Sequence, residues 1–442
     1  MHRIGTTAGL FVFAILLGSA ALAAPPAADD RTPPIVVEVV AGSEQSAQVP
    51  AGWYLPDEHT SFVPLPGHPG TFLAFTGVRT GASTNFSGAL AMTTTDFLHF
   101  DDAAAVGYFS PVMAPLEPSA TRRCTPGVDG LFDDNYAAPG SVFPDPASPG
   151  TWLMLYEAEN HCRNDVHVAP FYASVGVARS FDQGKSWPAA AFQSAGYDSR
   201  LRYEAVSSQL PKPTNNFSYA GDAIPSGFAS DGFVYAFFTD YIPGNGGIKQ
   251  IEVARAHDDG QDPMVFWKFS SSSGWTIPAS TRDGAVTAAG SALVTPPDGY
   301  SFAHVSVHEV QLEGHGAAPE PQGHLFVMIM ECDNRVTAAA AGVRPQGAWF
   351  YATTRDLEHQ TWSAPALIGN TQQYQYCASG TFDGWYPSLV SPNAQPGRLG
   401  ESGRAVYLNG DVVGPHTLAV RDFRIRRGEP APFAPLPVVA CP

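Results

Sequence analysis

A short motif that returns five times along the chain, at a spacing of about 80 residues, limits what this sequence can fold into more than any other feature. It reads Thr60-Ser61-Phe62-Val63, Pro139-Gly140-Ser141-Val142, Pro225-Ser226-Gly227-Phe228, Val305-Ser306-Val307 and Pro387-Ser388-Leu389-Val390. Each copy is followed by a run rich in aromatic and aliphatic residues: TFLAFT from Thr71, TWLMLY from Thr151, FVYAFF from Phe233, HLFVMIM from His324 and RAVYL from Arg404. A third segment follows each, at 89–93, 173–178, 248–254, 347–352 and 416–420, and runs into a turn holding Asp96, Asp182, Asp258, Asp356 or Asp422. Near-continuous apolar second segments imply strands buried on both faces. No long segment has a helical period. Five copies of strand, strand, strand and Asp turn predict an all-β protein, a five-bladed β-propeller. Ile35–Val40 (IVVEVV) is an additional strand expected to close the ring with the last blade.

The propeller is expected to occupy residues 35–442. Residues 1–23 have the pattern of a signal peptide: Arg3, the apolar run GLFVFAILL from Gly9, then Ala21-Leu22-Ala23. Residues 24–34 read as a disordered lead-in, so a secreted or periplasmic protein is expected. The apolar run is too short for a membrane span. A formal charge of -17 argues against a nucleic-acid partner. Five cysteines in an exported chain suggest two disulfides and one cysteine over.

Antiparallel pairing assigns the ends of the molecule. The start of each first strand, the end of each second and the start of each third share one face. That face collects Asp57, Glu58 and His59; Asp133, Asp134 and Tyr136; Asp222; His304; and Asp383, Trp385 and Tyr386 from the first strands. Arg79, Glu157, Glu159, Asp240, Tyr241, Glu331, Asp333, Asn409 and Asp411 join it from the second. The opposite face, with the Asp turns, is much poorer in such groups. Cys124 and Cys162 fall on the polar face, as do Cys332 and Cys377, so Cys124–Cys162 and Cys332–Cys377 are the expected bonds, with Cys441 free or paired elsewhere.

Ser180-Phe181-Asp182-Gln183-Gly184-Lys185-Ser186-Trp187 resembles the Asp box of sialidases and related propellers, a structural turn in which Asp bonds the backbone and Gly takes a positive φ. The chain as a whole resembles the five-bladed propeller glycosidases, the arabinanase, β-xylosidase and levansucrase group. The likeness is carried by Ala138-Pro139-Gly140-Ser141-Val142 leading into Trp152-Leu153-Met154-Leu155-Tyr156, by the turns at Thr93–Asp96 and Thr353–Asp356, and by Trp385–Val390. It implies acidic residues at the inner ends of the first three blades. Two departures stand beside it: no Asp-Pro opens the first blade, and no Glu precedes the Pro of the third.

The resemblance and the polar face together predict a glycoside hydrolase, or a hydrolase-like enzyme, acting on an extracellular glycan through paired carboxyls at the channel mouth. Asp57 would be base or nucleophile, Asp133 or Asp134 the helper, and Asp222 the acid, with Glu157 or Glu309 as alternatives for that last role. Glu58, His59, Tyr136, Trp385 and Tyr386 would hold substrate. No cofactor is required on this reading. A structural Ca²⁺ in the central channel is an open expectation, its ligands unassigned, and a monomer is expected. The alternative is a non-catalytic propeller that binds carbohydrate or protein, in which the same residues are turn formers and inter-blade packing. No HExxH, CxxC, P-loop or Gly-x-Ser-x-Gly pattern supports other chemistries.

Overall fold

The computed structural model describes residues 34–431 apart from 56–57, 81–87, 115–131, 134–135, 162–170, 189–200, 208–218, 242–248, 261–262, 281–287, 298–299, 313–323, 334–345, 370, 372, 375–380, 393–397 and 412–415. Asp57, Asp134, Cys124, Cys162, Cys377, Cys441 and the leader segment therefore lie outside the described residues. The described chain is all-β, and no α-helix occurs in it.

Every repeat found in the sequence is a three-stranded antiparallel unit. Unit 1 has inner strand Ser61–Pro64, middle strand Phe72–Thr80 and outer strand Gly88–Thr94. Unit 2 has Tyr136–Pro144, Trp152–His161 and Phe171–Ser180. Unit 3 has Tyr219–Ser230, Phe233–Tyr241 and Lys249–His257. Unit 4 has Ser301–Val310, Leu325–Asp333 and Gln346–Thr354. Unit 5 has Thr381–Val390, Ser402–Asp411 and Thr417–Arg427.

The apolar middle strands do what their composition requires, burying both faces against neighbours. Five separate hydrophobic clusters result, one in each seam: units 1 and 2 meet around Phe75, Trp152 and Met154, and units 2 and 3 around Leu155, Tyr203 and Phe238. Units 3 and 4 meet around Phe237, Phe302 and Met328, units 4 and 5 around Ile329, Trp349 and Tyr407, and units 5 and 1 around Phe97, Met92 and Val406. The last of these clusters packs the fifth unit against the first.

The serine of the repeated motif stitches the inner strands together. The backbone N–H of Val142 donates to Ser61 Oγ at 2.8 Å, that of Gly227 to Ser141 Oγ at 3.0 Å, and that of Val307 to Ser226 Oγ at 3.0 Å. Ser306 Oγ donates to the Pro387 carbonyl at 2.8 Å, and Ser388 Oγ lies 3.3 Å from His59 Nδ1. Each serine satisfies a backbone or ring group that the narrow channel would otherwise strand, which is why a small hydroxyl recurs there. The channel inside these strands encloses about 320 Å³.

Two features depart from five independent sheets. Ile35–Val39 pairs antiparallel with Thr417–Arg427, so the early strand forms the outer edge of the last unit, as expected from its sequence. Units 2 and 3 are one continuous sheet, because Phe171–Ala173 pairs in parallel with Tyr219–Gly221. Gly221 permits it: its φ is +107°, and a Cβ there would stand 2.1 Å from the Ala173 carbonyl oxygen. The described residues thus form four sheets.

The turn at Ser180–Trp187 is braced from within by Asp182 and tied to the segment after unit 1, where the Phe109 N–H donates to the Lys185 carbonyl and the Trp187 N–H to the Val112 carbonyl, each at 3.1 Å. Ser180 Oγ donates to Asp182 Oδ1 at 2.7 Å, and Ser186 donates to Asp182 from its N–H (3.0 Å) and Oγ (2.6 Å). Trp187 is buried edge-on against Phe75.

Candidate functional site

The inner strands carry bulges where they enter the channel. Ala223 pairs with Thr239 and Ser226 with Phe237, leaving two residues opposite one; the same break occurs between Ala303 and Ser306 and between Trp385 and Ser388. At each break one residue, two positions before the serine, takes a left-handed backbone: Ile224 (φ 55°), His304 (φ 52°) and Tyr386 (φ 56°). Such angles are rare outside glycine and asparagine, and they re-aim a side chain that would otherwise follow the strand's alternation. Here they turn His304 and Tyr386 toward each other.

The result is a cluster at the head of the channel built from units 1, 4 and 5. The His304 and Tyr386 rings stack with centroids 4.2 Å apart, His59 meets Tyr386 edge-on at 5.7 Å, and Trp385 lies between His304 (6.0 Å) and His416 (5.7 Å). Glu331, from the end of a middle strand, reaches His304 Nδ1 at 2.6 Å. Glu58, which precedes His59 in the sequence, is buried, its Oε1 accepting the His59 N–H at 2.9 Å. Burial, then the neighbouring His304, lowers the His59 pKa to about 3, so this imidazole is neutral. A carboxylate on Nδ1 holds a proton on that nitrogen and so fixes the tautomer of the His304 imidazole.

Asp133 and Asp222 join two other networks. Asp133, fully buried, forms an ion pair with Arg202 and accepts from the Tyr156 hydroxyl at 2.9 Å; Arg202 Nε donates to the same hydroxyl at 3.0 Å. Asp222, also fully buried, accepts from Lys268 Nζ at 2.8 Å. Its cross-strand partner is Asp240, and Glu252 lies 4.0 Å from the same ammonium. Three carboxyls thus share one cation. Burial, reinforced by Glu252 and held back by Lys268, raises the Asp222 pKa to about 6. Burial, then Asp222 and Glu252, raises that of Asp240 to about 9. Burial pulls Lys268 down, but Asp222 and Glu252 outweigh it and its pKa is raised. The cluster therefore carries a proton at neutral pH.

Of the residues expected from sequence, Glu58, His59, Trp385 and Tyr386 come together. Trp385 and Tyr386 are buried, with imidazoles against their rings. Tyr136 is buried opposite Glu159 at the head of unit 2. Asp133 and Asp222 are drawn into separate networks by cations, Arg202 and Lys268, that sequence reasoning missed. A signal for one was present: Lys268 sits between Trp267 and Phe269 in a chain with few basic residues, and a lysine inside an apolar strand needs a buried partner.

Cys332 is buried in its strand between Phe302 and Ala348, and its expected partner Cys377 lies outside the described residues. Among the described residues no three His, Cys, Asp or Glu side chains converge to hold a metal, and the channel is walled mainly by serine hydroxyls, imidazoles and apolar groups, whereas Ca²⁺ takes six to eight oxygens. No helix among the described residues is long and apolar enough to cross a membrane.

No protein-family model matches the sequence, and no curated protein matches it. Among solved structures the chain is similar to the catalytic domain of the Coprinopsis cinerea GH62 α-L-arabinofuranosidase, with 12% identity over 89% of this chain and 97% of that one and a TM-score of 0.43. It is similar to a Penicillium chrysogenum α-L-arabinanase complexed with arabinobiose, with 11% identity over 86% and 98% and a TM-score of 0.45. It is also similar to an N-acetylgalactosamine deacetylase from F. plautii, with 12% identity over 88% and 95% and a TM-score of 0.44. Likeness at this level transfers no residue roles.

Proposed function

We propose that the chain is an exported five-bladed β-propeller that hydrolyses glycosidic bonds of an extracellular glycan at the channel end where the inner strands begin. The ring of five seams and the serine stitch support the architecture. One observation carries the chemistry: the inner strands bring in carboxyls of two kinds, Asp133 matched one-to-one by Arg202, and Asp222 in a proton-sharing cluster with Asp240. Glycoside hydrolysis uses two carboxyls with opposite duties, one giving a proton and one remaining an anion. Asp222, as a member of the cluster that holds the proton, is assigned as the acid and Asp133 as the anionic partner; Asp57, Asp134 and Glu58 remain candidates given by the sequence. His59, Tyr136, Trp385 and Tyr386 shape the pocket.

The test is release of reducing sugar from arabinan, xylan, galactan and levan by the mature protein, beside Asp222→Asn and Asp133→Asn variants shown to be folded by circular dichroism. Loss of about 100-fold or more in each variant is expected, the range for a general acid or base. Hydrolysis undiminished in both variants overturns the assignment; no hydrolysis by the wild type overturns the reaction.

A second reading rests on its own observation. Both Asp133 and Asp222 are fully buried and salt-bridged, the form that structural ion networks take, and such networks also perturb pKa values. In that case the propeller binds carbohydrate without cleaving it, and retardation in glycan-containing gels without sugar release identifies it. The proposal further includes a monomer with no nucleic-acid partner and the bonds Cys124–Cys162 and Cys332–Cys377, which sedimentation and non-reducing peptide mapping check.

A further inference from the structure

A second aromatic groove lies on unit 3, at the end of the molecule opposite the polar cluster. Its walls come from the start of the middle strand (Phe233), the end of the outer strand (Arg255, His257) and the two edge strands beyond it, Trp267–Ser270 and Gly274–Pro278. It encloses about 380 Å³, within the range of small-molecule sites. Of the five large hydrophobic residues exposed among the described residues, two adjoin here: Val265 (55% exposed) and Trp267 (40%). Exposed apolar groups gathered in one concavity mark a binding surface.

The groove is held open. The Arg255 guanidinium is sandwiched between Phe233 and Trp275, 4.1 and 4.2 Å from their ring centroids, and is bound bidentately by Glu358 of unit 4. Trp275 Nε1 donates to the Glu358 carbonyl at 2.8 Å, which fixes the indole. With both partners rigid, little ordering is left for a ligand to impose.

The charge arithmetic selects the ligand. Arg255, the basic residue of the wall, is neutralised by Glu358, and the chain as a whole carries -17, so an anionic ligand is opposed. What remains is an indole face at Trp267, an aliphatic shoulder at Met264 and Val265, and polar side chains at one rim, His257 and Asp259. A flat apolar surface edged by side chains that donate and accept hydrogen bonds matches a sugar ring, whose C–H face is apolar and whose hydroxyls project from its edge.

We infer that this groove is an auxiliary site for a neutral glycan chain, anchoring polysaccharide at a distance from the channel. It does not depend on the channel being catalytic. The experiment is affinity electrophoresis and tryptophan-fluorescence titration of the wild type with soluble arabinan, xylan, galactan and levan, repeated with Trp267→Ala. At least one polysaccharide is expected to retard and quench the wild type, with at least ten-fold weaker binding in Trp267→Ala. Trp267 is an exposed edge-strand residue, and an unaltered melting temperature confirms the variant's fold. No binding to any of the four, or binding indifferent to Trp267, overturns the site. So does a concentration-dependent dimer that Trp267→Ala dissociates, which would make the groove a contact between copies. Sugar release that persists in Trp267→Ala while binding is lost leaves the hydrolase reading standing; binding without sugar release leaves the groove standing alone.

Discussion

Units 2 and 3 bury acidic side chains in different ways. In unit 2, Asp133 has one guanidinium for one carboxyl, and a tyrosine hydroxyl fills the remaining gap. In unit 3, Asp222, Asp240 and Glu252 crowd a single ammonium. Carboxyls near the heads of two neighbouring inner strands thus form a matched ion pair in one unit and a site of excess negative charge in the next. A matched pair serves rigidity; a surplus of carboxyls in a dry site forces a proton onto one of them, and a proton held in this way can be given up.

The largest effect that would break this contrast is expected at the matched pair. Arg202→Met leaves Asp133 buried without its cation and should cost about 3–5 kcal/mol in urea unfolding at neutral pH. A loss below about 1 kcal/mol would mean that the pair does not hold unit 2. Lys268→Met should cost less, about 2–3 kcal/mol, because one carboxyl of that cluster is already protonated. Its deficit should shrink as pH falls toward 4, since the remaining carboxyls can take up protons; a deficit independent of pH contradicts the shared-proton account.

Asp240→Asn sharpens the comparison through pH. The folded-state pKa is raised from 3.8 to about 9, so the folded form holds a proton that the unfolded chain has released. This contribution to stability is fully present below about pH 4 and is lost as pH rises to about 9. The variant should therefore flatten the decline in melting temperature between pH 6 and pH 9. Equal slopes in wild type and variant would remove the proton from Asp240. The smallest change is expected at the channel wall, where Ser226→Ala removes one acceptor from the Val307 N–H and should cost about 0.5–1.5 kcal/mol.

Much of the fold was legible because the repeat is written in residues with local reasons. The serines mark inner strands, the apolar runs mark middle strands, and IVVEV at residue 35 reads as an edge seeking a partner. The fusion of units 2 and 3 was not legible, because it turns on Gly221 admitting a neighbouring backbone, and a glycine before an aspartate reads equally well as a turn. The site was legible as a set of acids and aromatics at one end, but not as networks. Arg202 lies 69 residues from Asp133, and Lys268 lies 46 from Asp222, both on added edge strands that the repeat does not encode. The stacking of His304 on Tyr386 depends on two left-handed residues whose sequence carries no glycine to announce them.

The pairing of Ile35–Val39 with Thr417–Arg427 has a consequence for biogenesis. On the ribosome, the ribbon that begins at Ile35 emerges long before the strand it belongs beside. Throughout that interval it is an apolar edge with open hydrogen-bonding groups, the kind of segment that recruits wrong partners. The first strand is then among the last to find its place, and anything that delays the C-terminal strand lengthens its exposure.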